Sequence, residues 1–304
     1  MKIYLAGGIA GNMNWAWKKA VKNPNVTLET FEKVVLDEVI EKDKENDGMK
    51  IYLAGTAPWR SEGLYDGAIR DYHPFILESF YYVDDDTEKL LPLFGDFILD
   101  SGAFTFISNI KKTGGEKSIN WEQYVDKYGE YIKKNNIDKF LELDIDYLVG
   151  YDKVKEYRKR LEIITGKQPI PVFHKTRDLT EFQRMCDEYK YVAIGASGIN
   201  TDSAWVNRHP EALEWFITMA HKHNCKIHGL GFTRLNLLTK LHFDSVDSTA
   251  WVTGNRYGFV YKFNGKTMIK VTCPKGKRLG NPRKVALINY IEWLKFQKYA
   301  ERNL

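Results

Sequence analysis

Three acid-ended apolar runs are the residues of this chain best suited to chemistry. The clearest is His242-Phe243-Asp244-Ser245-Val246-Asp247-Ser248-Thr249-Ala250-Trp251, which reads as a short strand through Phe243 and Val246 and then breaks into hydroxyl residues. Asp244 is the carboxylate placed at that strand end, with Asp247, three residues on, as the alternative. Two similar runs precede it, Leu99-Asp100-Ser101-Gly102-Ala103-Phe104 and Glu142-Leu143-Asp144-Ile145-Asp146. A barrel enzyme fixes catalytic acids at strand ends because the strand holds the acid still while the following loop varies. Any one of these aspartates reads equally well as a turn or helix cap. Together they weigh toward function, because converging carboxylates repel. Such a cluster costs stability unless a metal, a cationic substrate or proton transfer offsets it.

Other residues fall at the same expected mouth. Asp144 and Asp146 alternate with Leu143 and Ile145, so both would face one side of the strand, or one could cap the next helix. Ala193-Ile194-Gly195-Ala196-Ser197-Gly198 and His228-Gly229-Leu230-Gly231 end two runs in small residues. These would leave a slot for a planar ring, read by backbone groups; close helix–strand packing is the alternative. Ser101 and Phe104 follow Asp100 in a tight turn that a flat ligand could approach. His174, after Pro171-Val172-Phe173, is placed to hydrogen-bond a ligand or to serve structure alone.

Strand signals at 51–54, 97–100, 140–144, 170–173, 191–195, 226–231, 242–246 and 259–261 alternate with helical patterns. The helices are expected at 121–134, 151–165, 179–189, 210–223 and 234–241, with a long amphipathic one over 282–302 that starts on Pro282. The alternation predicts an α/β fold, a (β/α)8 TIM barrel, over a doubly wound sheet, whose Gly-rich nucleotide turn is missing. Met1-Lys-Ile-Tyr-Leu-Ala-Gly recurs at Met49 to Gly55. Residues 1–48 therefore read as a strand–helix appendage of unassigned purpose, and 49–304 as the barrel with a basic C-terminal segment.

Composition narrows the function classes. With 43% hydrophobic and 14% aromatic residues the chain can bury a large core, yet no run approaches the roughly 20 apolar residues of a membrane span. Cys186, Cys225 and Cys273 are far apart in sequence, against a disulfide scaffold or a local zinc site, so no metal is expected and a reducing cytoplasm is. Net charge is +5, but no acid occurs between Asp247 and Glu292, where Arg256, Lys262, Lys266, Lys270, Lys275, Lys277, Arg278, Arg283 and Lys284 lie. A one-sign field beside an acid loop suits a polyanion; a solvated basic surface is the plainer reading.

These motifs, in order and spacing over roughly Phe97 to Gly258, resemble the tRNA-guanine transglycosylase superfamily, especially its phage and bacterial DNA-modifying relatives that insert 7-deazaguanines. Asp100-Ser101-Gly102-Ala103-Phe104 is similar to the family's D-S-G-G-F turn, whose aspartate transfers protons. Asp144 matches the aspartate that reads the guanine edge, and His174 stands where the tRNA enzymes carry glutamine. Gly195, Ser197 and Gly198 resemble the base-binding segment, and His228-Gly229-Leu230-Gly231 the M-G-V-G strand. Phe243-Asp244-Ser245-Val246 resembles F-D-C-V, whose aspartate is the nucleophile. The family's C-x-C-x-x-C…H zinc site is missing, replaced by the basic stretch Arg256 to Lys284.

The resemblance implies base exchange: Asp244 attacks C1′, Asp100 moves the proton, Asp144 and His174 hold a guanine-like ring, and no cofactor is needed. Arg256, Lys275, Lys277 and Arg278 would hold phosphates, with Trp251 or Tyr257 stacking on a base. The partners implied are a free 7-deazaguanine and a polynucleotide, DNA ahead of RNA, in the cytoplasm (the host's, if the gene is a phage's), with a homodimer left open. The competing readings are a base-excising hydrolase, a nucleoside deoxyribosyltransferase suggested by the Lys-Ile-Tyr-Leu-Ala-Gly openings, and a barrel that binds nucleic acid without turnover.

Overall fold

Seven short runs of apolar and β-branched residues form strands in the computed structural model of the chain: β1 (Lys50–Ala54), β2 (Phe75–Ser79), β3 (Asp96–Asp100), β4 (Val172–Phe173), β5 (Tyr191–Gly195), β6 (Lys226–Leu230) and β7 (Ser245–Ser248). The structure describes residues 48–55, 66–103, 105–106, 119–174, 177–195, 210–232, 234–272 and 282–304. These belong to the unit Gly48–Leu304. The appendage expected before it lies outside the described residues.

All pairings are parallel, in the order β3-β2-β1-β7-β6-β5-β4. Parallel strands need crossovers, and helices supply them: α1 (Asp66–Tyr72), α2 (Asp85–Leu90), α3 (Trp121–Lys134), α4 (Asp146–Val149), α5 (Tyr151–Thr165), α6 (Leu179–Glu188), α7 (Pro210–Lys222) and α8 (Leu235–Leu238), while α9 (Ala250–Tyr257) follows the last of them. A sheet covered on both faces has two apolar sides. Ile51, Leu53, Ile76, Val192, Ile194, Ile227 and Val246 join one cluster with Phe182, Phe216 and Trp293 of the helices. The alternate residues Tyr52, Ala54, Phe75, Leu77, Ile98, Val172 and Ala193 form a separate buried cluster with Leu141 and Ile170. Side chains from the middle and both ends of the sheet meet there because the sheet curls into a half-barrel.

Between β3 and β4 the chain passes through two isolated parallel bridges, Leu99↔Phe140 and Leu141↔Ile170. Leu141 N donates to Leu99 O at 2.9 Å, and Ile170 N to Phe140 O at 2.8 Å. The strand expected over 140–144 is therefore reduced to this bridge, since beyond Leu141 the backbone turns toward α4. Tyr128 of α3 sets its hydroxyl 2.9 Å from both Leu99 O and Leu141 O, tying the bridge to the helix behind it.

A further expected element differs. Phe259–Tyr261 does not join the parallel sheet: β8 (Phe259–Phe263) pairs antiparallel with β9 (Met268–Thr272) as a separate hairpin. The Asn264-Gly265 turn joins strands too close in sequence for a parallel crossover. The sheet strand that pattern reading misses is β2, whose run Phe75-Ile-Leu follows Pro74.

The C-terminal helix α10 (Pro282–Asn303) buries Val285, Tyr290, Trp293, Leu294 and Phe296. Its Gln297 is fully buried, where β1 and β2 have not yet paired. The side-chain amide donates to Ile51 O at 2.6 Å and Phe75 O at 3.1 Å, while its oxygen accepts from Phe75 N at 3.1 Å. One side chain thus satisfies backbone groups that the splayed strands leave open.

Candidate active site

Strand register decides which acids meet. β7 begins three residues later than its hydropathy suggests, with Ser245, Val246 and Asp247 level with Lys50, Ile51 and Tyr52 of β1. Asp244 accordingly precedes the strand, at the end where β1 and β6 also start. Its Oδ2 accepts from Ile227 N at 2.8 Å and lies 3.0 Å from His221 Nε2. The side chain of Asp244, expected as the nucleophile, thus caps the N-terminal edge of the sheet, away from the strand ends that carry Asp100. With a side-chain period of two, Ser245 and Asp247 point inward, and Asp247 takes the place at the carboxyl end.

Asp247 is 6% exposed. Its Oδ1 accepts from Gly231 N at 2.6 Å and lies 3.3 Å from His228 Nε2. Among the described residues its other oxygen, Oδ2, makes no hydrogen bond. His228, an inward residue of β6, is fully buried and contacts Ser245 Oγ through Nδ1; Tyr191 of β5 meets the same hydroxyl.

Asp100 closes β3. Its Oδ2 accepts from Gly102 N at 3.1 Å. Gly102 has φ +81°, and a Cβ there would lie 3.0 Å from both Ser79 Oγ and Tyr81 Cβ, so a larger residue would be strained in this turn. Burial pushes the Asp100 carboxyl up to about 7, the Gly102 N–H opposes it, and the charges of Asp144 and Asp247 raise it further. Those two carboxylates are therefore its electrostatic neighbours. Ser101 is buried and its carbonyl accepts from the Tyr124 hydroxyl at 2.6 Å. Phe104 lies outside the described residues.

Asp144 is held by His174 and Arg177. His174 Nε2 lies 2.6 Å from its Oδ1. Burial opposes its ionisation, but His174, by charge and hydrogen bond, and then Arg177 outweigh that and hold the carboxyl below its usual range. Arg177 also donates to Asp146 Oδ2 at 3.0 Å and packs its guanidinium 3.9 Å from the Tyr151 ring centre. Beneath them lies a buried pair that pattern reading misses. Arg158 donates to Glu142 Oε2 at 2.7 Å, and Glu142 Oε1 accepts from Val172 N at 2.7 Å. Burial raises the Glu142 carboxyl against the pull of Arg158 and Arg177. A glutamate inside an apolar run, with Arg158 in the following helix, is the only trace of this pair in the sequence. Asp144, Asp146 and His174 bring donor atoms within 4.8 Å of one another, a set that could hold a metal ion. Within that set Asp144 Oδ1 meets His174 Nε2, and Asp146 Oδ2 accepts from Arg177.

The remaining expected residues divide three ways. Gly195 ends β5, buried, on the inward-facing alternation. Gly229 faces outward, where a Cβ would lie 3.1 Å from Phe232 and 3.3 Å from Phe243, so close packing explains it and not a ligand slot. Trp251 is fully buried, donating to Ala54 O at 2.8 Å, and is not free to stack on a base; Tyr257 is 67% exposed. Ser197, Gly198, Lys275, Lys277, Arg278 and the side chain of Arg256 lie outside the described residues.

No protein-family model matches the sequence, and no curated protein matches it significantly. Among solved structures it is similar to the carboxyl transferase domain of Rhizobium etli pyruvate carboxylase. With the 3-hydroxypyruvate form it shares 12% identity at a TM-score of 0.44, covering 86% of this chain and 50% of that one. With the 3-bromopyruvate form the values are 13%, 0.39, 86% and 49%. The chain thus spans about half the length of the domains it matches. Among the described residues no helix is long and apolar enough to cross a membrane.

Proposed function

We propose that this chain is a base-exchange transglycosylase, replacing guanine in a polynucleotide with a 7-deazaguanine, and that Asp247 is its nucleophile. The observation that carries the reading is the electrostatic grouping of Asp100, Asp144 and Asp247, with the Asp100 carboxyl poised near 7. Asp247 has one oxygen anchored and one without a partner among the described residues, as a nucleophilic carboxylate requires.

In the first half-reaction Asp247 Oδ2 bonds to C1′ as the C1′–N9 bond breaks. The electron pair leaves with the purine, which takes a proton from Asp100. In the second, the incoming base loses its N9 proton to the Asp100 carboxylate, and N9 displaces Asp247 from C1′. One group serving as acid and then base works best with a pKa near the operating pH. Asp144, kept ionised by His174 and Arg177, accepts the N1 and amino protons of the guanine-type ring. The fold would be a complete (β/α)8 barrel, the bridges at Phe140 and Leu141 standing for the eighth strand. The target nucleotide must then be unpaired or flipped out to reach the mouth.

The polymer is DNA ahead of RNA in this reading, and the exposed Lys262, Lys266 and Lys270 around the β8–β9 hairpin support a polyanion. Incubation with labelled 7-cyano-7-deazaguanine and DNA or RNA, followed by mass spectrometry of the nucleosides, tests it. Label in the polymer is expected. Abasic sites alone would mean hydrolysis, and exchange on free nucleosides alone would mean a deoxyribosyltransferase.

A further inference from the structure

We infer that His228 is a positioning residue for Asp247. In its neutral form it donates Nε2–H to Oδ1, through a directional chain that begins at Tyr191, and leaves Oδ2 as the oxygen that meets substrate. This rests on the reading of Asp247 as the nucleophile.

The direction of the chain follows from what each group can do. An ionised carboxylate only accepts. Oδ1 of Asp247 takes the Gly231 N–H at 2.6 Å and faces His228 Nε2 at 3.3 Å, so Nε2 must carry the hydrogen. A neutral imidazole protonated there has a bare Nδ1, which only accepts. Nδ1 faces the Ser245 hydroxyl, so that hydroxyl donates to it. The Ser245 oxygen then has lone pairs left for the Tyr191 O–H. Turning the imidazole tautomer round would set a bare nitrogen against the carboxylate and leave the serine proton without this acceptor.

His228 and Ser245 are both 0% exposed, so the order is built into the interior of the half-barrel. The rings of Tyr52 and Tyr191 meet the imidazole edge-on, at centroid distances of 6.0 and 6.5 Å and interplanar angles of 68° and 81°, which limits ring rotation. The 3.3 Å contact is long for an N–H···O bond. Its use is therefore orientation: with Gly231 it pins Oδ1 and fixes the carboxylate plane, and orientation is what a nucleophile needs for in-line attack. The four side chains belong to the neighbouring strands β5, β6 and β7, so backbone pairing sets their spacing.

Two measurements decide it. In the wild-type protein, two-bond nitrogen–proton NMR of the histidine rings at pH 8 should show His228 with hydrogen on Nε2 and a bare Nδ1. An Nδ1–H tautomer overturns the chain, whatever the enzyme does. In the base-exchange assay, His228→Leu should lower kcat about 10- to 100-fold, as loss of other supporting hydrogen bonds does, with KM nearly unchanged. His228→Gln, which keeps an N–H donor, should recover most of the loss; wild-type kcat in His228→Leu overturns the positioning role. An Nε2–H tautomer in a protein that exchanges no base on any polynucleotide supports the chain and sinks the transglycosylase reading instead.

Discussion

At the residue scale, two aspartates three positions apart are set toward opposite ends of one short strand. Asp247→Asn should abolish the covalent adduct and lower exchange by about 10³-fold or more, as loss of other nucleophiles does. Asp244→Ala should leave exchange within a few-fold. It should cost about 1–2 kcal/mol in denaturant unfolding, because Ile227 N loses its charged acceptor. The reverse pattern would return the nucleophile to Asp244. Asp100 yields a prediction with a definite sign. Its folded value near 7 lies above the 3.8 of an unperturbed aspartate, so folding favours its protonated form. That contribution is full below about pH 4 and is lost as pH rises to 7. Asp100→Asn should therefore raise the melting temperature more at pH 8 than at pH 4, while cutting turnover by about 10²–10⁴-fold. An equal shift at both pH values would mean that Asp100 is not held up by burial.

At the element scale, most helices were legible and most of the sheet was. α3 and α5 run over the residues their periodicity marks, because amphipathic spacing and caps such as Asn120 and Gly166 are local signals. β7 was misplaced because Phe243 looks like strand but packs outward against Phe232 before the ladder begins. That shift sets Asp244 before the strand and Asp247 within it. β2 went unread because Phe75-Ile76-Leu77 is too short to distinguish from a core helix turn. The Glu142–Arg158 pair was illegible because its partners come together only through the α5 crossover. Gln297 gives this scale its test. Gln297→Leu removes three hydrogen bonds from Ile51 and Phe75, and should destabilise the fold by about 2–4 kcal/mol in denaturant unfolding. A loss below about 1 kcal/mol would mean that the strand ends find other partners.

At the scale of the whole molecule, charge and chemistry are unevenly placed. Between Asp247 and Glu292 the chain carries no acid, and the described part of that stretch shows exposed Lys262, Lys266 and Lys270. Replacing those three lysines with glutamine should weaken polynucleotide binding and flatten its dependence on salt, the slope falling by about 0.7–0.9 for each phosphate that is no longer neutralised. Turnover of a base already bound at the mouth should be spared. An unchanged slope would move the polymer-binding surface elsewhere on the molecule.

β1 sits mid-sheet with β2 on one side and β7 on the other, so Ile51 lies level with Val246. A chain leaving the ribosome must therefore carry its central strand with one edge bare until nearly all the remaining strands have been made. Closing a loop of that length is slow, and an open edge invites pairing with other chains meanwhile. Early in refolding, amides shared by β2 and β3 should resist exchange before those that β1 shares with β7. Yield at low temperature or with a chaperone should then depend on how long that edge waits, more than on the final stability of the fold.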